Sequence, residues 1–337
     1  MRAAYAAIRP LLFRMAPERA HAATLEAMRL VAGSPTLQAL VRPWFATPER
    51  PVEAFGLRFS NPVGLAAGYD KDGVAVAGLA TLGFGHVEVG TVTLRPQPGN
   101  AGPRVFRLAG DEAIVNRLGF PCRGADFAAE QLSRPRPPGL VVGVNIGKNK
   151  DTPLEEAPGD YAALVDRFAP LADYLVINVS SPNTVGLRRL QGKAALERLL
   201  DAALARRDAQ PGRTPLLVKL APDLDDAGLD DALDVLLSRG VDGVVATNTT
   251  LSRAGLSSAG ATAAGGLSGR PLTERANALV ATIHRRTDGR LPIIGVGGVF
   301  TADDARARLD AGATLVQLYT SLVYEGPGVV KRIVRGL

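Results

Sequence analysis

The stretch INVSSPNT (177–184) places Asn178, Ser180, Ser181, Asn183 and Thr184 at the end of an apolar run, YLVIN. A buried strand has no packing use for so many amides and hydroxyls at its tip, and each needs a hydrogen-bond partner once it leaves water. An asparagine amide presents a donor and an acceptor side by side, which suits a planar ligand edged with carbonyl and N–H groups. Ser181 has no acid–histidine pair to accompany it, so a hydrolase triad is disfavoured. Held against a substrate C–H beside a carbonyl, with Thr184 or a water passing the proton on, Ser181 reads instead as a general base. A plain Ser-Pro turn is the structural alternative.

Other apolar runs end in similar chemistry. Lys219 sits inside LLVKLAP, where a lysine needs a charged partner. Glu88 of EVG is the structural candidate for that partner. The functional reading is a cation beside a group that becomes negative during reaction, and the electron-rich edge of a reduced flavin fits. Lys71, in AAGYDKDG, matches a substrate carboxylate, although DKDG alone is a charged turn. NRLGF (116–120) offers Asn116, which otherwise reads as a helix cap. Together Asn116, Asn178, Asn183 and Asn248 match the imide edge of a pyrimidine. GVGG (295–298) and Thr320, after VQLY, read as phosphate-holding loops, with a tight turn as the alternative for GVGG; GGLSGRP (265–271) adds amide donors on that reading and is otherwise a Gly-rich turn before a helix.

These groups need a scaffold that gathers strand ends. Eight apolar runs recur: 62–67, 86–90, 140–147, 174–180, 215–221, 242–248, 292–298 and 313–319. They are continuous rather than alternating, as in parallel strands covered on both faces. Helical patterns at 161–172, 194–207, 229–240 and 303–312 fall between them. The order predicts an α/β fold, a (β/α)8 TIM barrel, with a doubly wound sheet as runner-up. In a barrel the C-terminal strand ends share one face. They would bring together Ala67, Gly68, Asp70 and Lys71 with Thr91, Asn145, Asn178, Lys219, Thr247, Asn248, Gly297, Gly298, Tyr319 and Thr320. The span 95–108 reads as a hairpin-like excursion above that face. Residues 1–45 form a separate extension of two short helices broken at APE (16–18), and 46–337 form the barrel domain.

Composition narrows the rest. One cysteine, Cys122, rules out a disulfide framework, and three scattered histidines disfavour a metal site. The net charge of +6 could suggest nucleic acid, but residues 1–50 carry seven arginines against three glutamates and the remainder is nearly balanced. No run approaches the ~18 apolar residues of a membrane span. A basic, amphipathic helix pair reads as lying on a membrane surface. A transit peptide is the alternative for this opening.

Taken in order, AAGYDKDG, EVGTVTLRPQPGN, NRLGF, NIGKNKDT, INVSSPNTVGLR, VKLAPD, ATNTT, GGLSGRPL, PIIGVGG and VQLYTSLVYEGP resemble the quinone-dependent, membrane-associated class 2 dihydroorotate dehydrogenases. The resemblance covers essentially the whole chain. It implies one FMN per chain, oxidation of (S)-dihydroorotate to orotate in pyrimidine biosynthesis, a membrane quinone as electron acceptor, and no nucleic-acid partner. By resemblance, Ala67, Gly68, Tyr69, Asp70, Lys71, Thr91, Asn145, Asn178, Lys219, Thr247, Gly269, Gly298, Tyr319 and Thr320 hold FMN. Lys71, Asn116, Arg117, Leu118, Gly119, Phe120, Asn178, Asn183, Asn248 and Thr249 hold orotate. Ser181 stands at the base position, where soluble relatives carry cysteine. Thr184 and Phe120 belong to the proton relay, and His21 and Arg107 to the flavin end of a quinone tunnel built on residues 16–30. Tyr69 and Leu118 depart from the aliphatic or Met residues common there. The implied location is the cytoplasmic side of a bacterial inner membrane, as a peripheral protein. Two rivals differ in class. A dihydrouridine synthase would call for an RNA-binding extension, and a phosphate-ligand-binding barrel would not need Ser181, Lys71 and Lys219 together.

Overall fold

The computed structural model describes residues 2–258 and 262–337; Met1, the first residue of the expected extension, lies outside them. Among the described residues, eight parallel strands close a barrel in chain order: Val63–Leu65, His86–Val92, Val141–Ile146, Tyr174–Asn178, Leu216–Leu220, Gly243–Ala246, Ile293–Val296 and Leu315–Leu318. Each falls within or over one of the eight apolar runs, and every residue of these strands is buried. The doubly wound alternative is excluded by closure of the first strand on the eighth.

The lumen is filled by pairing large side chains with absent ones. A Cβ on Gly64 would lie 2.1 Å from the His86 ring, and one on Gly143 would lie 2.1 Å from the Tyr174 ring. These glycines are the holes into which two lumen aromatics fit. Below them an antiparallel hairpin, Val52–Ala54 with Leu57–Phe59, stops the barrel floor. Phe59 is fully buried, edge-on to His86 with ring centroids 5.3 Å apart.

Three expectations need correction. The N-terminal extension has three helices, not two: α1 (Arg2–Arg14), α2 (Pro17–Ala32) and α3 (Pro35–Phe45). The start of α3 is an N-cap, with the Ser34 hydroxyl accepting from the Leu37 N–H and Pro35 at the first turn. The hairpin above the barrel is Val105–Leu108 with Ala113–Asn116, displaced along the chain from 95–108. GGLSGRP is not a turn, because Gly266–Gly269 pairs with Ala113–Asn116 as the third strand of that small sheet. The pairing partners are about 150 residues apart in sequence, so local turn chemistry could not reveal it.

The extension is docked on the barrel. α2 crosses the short helix Val76–Ala80 so closely that a Cβ on Gly78 would lie 2.0 Å from the Met28 carbonyl oxygen. Glu18 receives Arg104 through Nε at 2.9 Å, Nη2 at 2.6 Å and the backbone N–H at 3.0 Å. The Tyr5 hydroxyl donates to the Val323 carbonyl at 2.5 Å.

Candidate active site

The C-terminal strand ends open into a cleft of about 1000 Å³. Ala67, Gly68, Lys71, Thr91, Asn178, Lys219, Thr247, Gly298, Tyr319 and Thr320 line it. The small sheet roofs it with Asn116, Leu118, Gly119, Phe120 and Gly269, and the loop after the fourth strand adds Ser181 and Asn183. Asn248 and Thr249, after the sixth strand, complete the substrate-type residues on its wall.

A buried polar network connects the strands beneath this cleft. Glu88, wholly buried on the second strand, accepts from Asn145 Nδ2 at 2.8 Å and Gln317 Nε2 at 2.7 Å. Its carboxylate lies 3.5 Å from the Lys219 ammonium. Asn145 Oδ1 in turn accepts from the Thr91 hydroxyl at 2.6 Å and from Asn178 Nδ2 at 3.0 Å. Asn178 Oδ1 accepts from Asn248 Nδ2 at 3.3 Å and from the Ser180 hydroxyl at 3.1 Å. The chain of contacts runs from strand five to strand two, where strand eight joins it, and on through strands three and four to the loop after strand six. Lys219 therefore pairs with Glu88, as the structural reading expects, and also lines the cleft.

Several expected contacts lie elsewhere. Asn145 stands behind the cleft wall, where it orients Thr91 and Asn178. Asp70 is spent on its own helix start, accepting from the Val74 N–H at 3.0 Å and the Ala75 N–H at 2.7 Å. Arg117 turns out of the cleft to donate to the Pro103 carbonyl at 3.0 Å. Thr184 is buried but not on the cleft surface, and its hydroxyl has no hydrogen-bond partner among the described residues. Ser181 Oγ accepts from the Asn183 N–H at 3.3 Å. Asn183 itself reaches the roof, donating to Asn116 Oδ1 at 3.1 Å.

Some supporting residues were not singled out from the sequence. Arg188 bonds the Ser180 carbonyl at 3.0 Å, the Thr249 carbonyl at 2.9 Å and Asp223 at 2.8 Å, tying two cleft loops together. Its single signal was its place in the motif INVSSPNTVGLR. Gln317 and Ser321, both on the cleft wall, each keep one buried oxygen without a partner among the described residues.

A second cavity of about 1440 Å³ lies between α1, α2 and the barrel. Its lining is largely apolar, including Leu12, Phe13, Met28, Ile114 and Val323. His21, Tyr69 and Arg107 lie on its wall, so Tyr69 faces this cavity rather than the cleft. Arg107 reaches the end of α1, donating to the carbonyls of Leu12 at 3.0 Å, Phe13 at 3.2 Å and Met15. Burial, reinforced by the nearby Lys71 charge, pulls the His21 imidazole down to about 3, so the ring is neutral at physiological pH. Lys71, Leu118 and Tyr319 line both cavities. Burial pulls Lys71 down to about 8, opposed by Asp72 and Asp70, and its ammonium donates to the Gly68 carbonyl at 2.7 Å.

A (β/α)8 barrel with an Asn- and Lys-lined cleft, Gly loops on its last strands and an adjoining apolar cavity defines a barrel enzyme with two ligand-binding spaces. The dihydroorotate dehydrogenase family model matches residues 51–337. A dihydroorotate dehydrogenase (quinone) of Roseiflexus sp. strain RS-1 is 50% identical over 339 residues, covering 100% of this chain and 94% of that protein. One of Anaeromyxobacter sp. strain Fw109-5 is 52% identical over 335 residues, covering 98% and 91%. The crystal structure of the Eimeria tenella enzyme in complex with ferulenol superposes with a TM-score of 0.82 at 41% identity, covering 89% of this chain and 88% of that one. This chain belongs to the dihydroorotate dehydrogenase family.

The Glu88–Lys219 pair makes a stability prediction. Removing one partner strands a buried charge at a cost of about 3–5 kcal/mol, whereas removing both is far cheaper. Glu88→Leu and Lys219→Met should each lower urea-unfolding stability by that order, and the double variant by less than either. Additive losses would show that the two groups do not depend on each other.

Proposed function

We propose that the deep cleft holds one FMN and oxidises (S)-dihydroorotate to orotate over it, and that the apolar cavity admits a membrane quinone to the flavin's other side. The chain is a flavin-dependent oxidoreductase of pyrimidine biosynthesis, acting on dihydroorotate with a quinone as electron acceptor. The observation that carries the two-site reading is that Lys71, Leu118 and Tyr319 are walls of both cavities. A flavin lying there would touch both spaces at once.

The residues present fit FMN. Gln317 and Ser321, on the cleft wall, each keep an unpartnered oxygen among the described residues, and Gly297, Gly298, Gly269 and Thr320 leave backbone and hydroxyl groups for a phosphate. Lys219 supplies a cation, and Ala67, Gly68, Thr91, Asn178 and Thr247 surround the space for the ring. Bound there, FMN supplies a hydride acceptor toward the substrate and an electron donor toward the quinone. Lys71 binds the substrate carboxylate, while Asn116, Asn183, Asn248 and Thr249 match its amide edge. Leu118, Gly119 and Phe120 cover it from the roof, and Phe120 keeps water from the proton-transfer path. Ser181 Oγ takes the proton from the carbon beside the ring carbonyl, and the Thr184 hydroxyl, unpartnered among the described residues, supports its part in relaying that proton. His21 and Arg107 belong to the quinone space, the neutral imidazole exchanging hydrogen bonds without adding charge.

Among the described residues, no helix is long and apolar enough to cross a membrane. Seven of their nine exposed large hydrophobics lie on or beside α1–α3: Ile8, Leu11, Met15, Leu30, Leu37, Leu40 and Trp44. With the seven arginines of residues 1–50, they favour peripheral docking of this extension, the expected 1–45 unit, on an anionic bilayer. The cytoplasmic face of a bacterial inner membrane has that chemistry. The test of the whole reading is direct. The purified protein should be yellow, bleach with dihydroorotate without any nicotinamide cofactor, and recover colour with quinone. A colourless protein, or one bleached by NADH alone, would overturn it.

Three further outcomes are expected. Ser181→Ala should keep FMN and orotate binding but slow flavin reduction by ~10²–10⁴-fold, the scale of a positioned base. Single-turnover reduction near the wild-type rate would remove Ser181 from the chemistry. Because burial depresses Lys71 to about 8, the charged form needed for a carboxylate ligand is full below that pH and is lost above it. Orotate affinity should fall by up to about tenfold per pH unit above 8, and Lys71→Met should weaken binding and flatten the profile. Leu40→Glu/Trp44→Glu should cut binding to anionic vesicles by about tenfold or more while leaving flavin reduction unchanged, since each side chain contributes ~1.5–3 kcal/mol when buried in lipid. Undiminished vesicle sedimentation would remove this face as the docking surface.

A further inference from the structure

One buried cation in the barrel wall makes no ion pair among the described residues. Arg308 lies on the helix Ala302–Asp310 and is fully buried. Its stem crosses the seventh strand at Gly295, where a Cβ would sit 2.6 Å from Arg308 Cγ. Each acceptor of its guanidinium is a neutral oxygen: Asn277 Oδ1 at 2.5 Å from Nε, and the carbonyls of Gly297 at 2.7 Å and Thr273 at 3.3 Å from Nη2. Nη1 has no partner among the described residues. Asp304, the nearby acid, makes no ion pair with it: its carboxylate lies 3.8 Å from Arg270 and accepts from the backbone N–H groups of Phe300 and Thr301, both at 2.9 Å. Burial pulls Arg308 down to about 10, so it is still charged at neutral pH. A charged group out of water with no ion-paired partner is costly, and such sites ordinarily hold a pair.

The Gly297 contact shows where an anion would be felt. A trans peptide points its C=O and the following N–H to opposite sides. With the Gly297 oxygen drawn toward Arg308, the Gly298 N–H points away from Arg308, and both glycines line the cleft. That N–H donates to no acceptor among the described residues. An anion placed over it would sit at the positive end of a peptide whose other end rests on a buried cation. We propose that Arg308 is the buried counter-charge of the cofactor's phosphate, acting as a positioning residue through the Gly297–Gly298 peptide.

The proposal rests on the FMN reading, and its test separates the two by comparing FMN with riboflavin, which lacks the phosphate. Flavin release from the holoenzyme on dilution is followed by recovery of flavin fluorescence, with riboflavin exchanged into the same preparation. Wild-type protein should hold FMN far more tightly than riboflavin; no such preference would defeat the FMN reading itself. Arg308→Gln should weaken FMN by ~10–100-fold, the range of one charge-assisted interaction, and leave riboflavin unchanged. Arg308→Lys, which keeps the charge, should recover most of the loss. Unchanged FMN affinity, equal loss of both flavins, or no recovery with lysine would each overturn the proposal. If Arg308→Gln does not fold, Asn277→Ala frees one edge of the guanidinium without removing charge. It should lower the FMN-to-riboflavin ratio several-fold, and an unchanged ratio there would equally overturn the proposal.

Discussion

A carboxylate at the centre of a closed barrel cannot be solvated, so everything around Glu88 has to stand in for water. Lys219 supplies the charge, and Asn145 and Gln317 supply donors at hydrogen-bond distance. These partners arrive from the fifth, third and eighth strands. The pair thus couples ring closure to the position of the one lysine that faces the cleft from inside the barrel. Buried ion pairs add little net stability, since desolvation consumes most of the Coulomb gain, but they penalise any arrangement that separates the partners. Here the penalty holds the Lys219 ammonium on the floor of the cleft.

The amide network passes that order outward. Asn145, set behind the cleft wall, aligns Thr91 and Asn178, and Asn178 aligns Asn248 and Ser180. Side chains that must present donors and acceptors to a ligand are thereby held by other side chains rather than by the ligand itself, which is the condition for a preorganised site. On the far side the same barrel end is closed by α1 and α2, whose contacts leave an apolar space instead of a packed core. Two chemically opposite cavities, one ringed by amides and one by aliphatics, meet at Lys71, Leu118 and Tyr319. On the proposed function, a polar substrate and a lipophilic acceptor would share one electron carrier without sharing a binding site.

The barrel was legible because its signal is local: each strand is a continuous apolar run, and each run ends in the polar residue that the topology sends to one face. What stayed hidden depends on pairing across the chain or on side-chain direction. Gly266–Gly269 reads as a turn until Ala113–Asn116 is known to lie beside it. Asn145 and Asn178 occupy equivalent strand ends, yet one faces Glu88 and the other the cleft, and spacing alone does not separate them. Tyr69 follows Gly68 directly but faces the other cavity, and Arg188 acts through carbonyl contacts that carry no composition signal. Helix α3 was the one local miss, since Ser34-Pro35 is a readable helix start.

Separate spaces for the two half-reactions have a kinetic consequence that a shared space lacks. In an anaerobic stopped-flow experiment, enzyme reduced by dihydroorotate is mixed with a quinone in the presence of increasing orotate, and the return of the flavin band is timed. Two adjoining cavities predict that saturating orotate leaves the quinone concentration dependence of reoxidation essentially unshifted. A competitive pattern, with orotate raising the quinone concentration needed in proportion to its own, would place both ligands in one cleft and contradict the account.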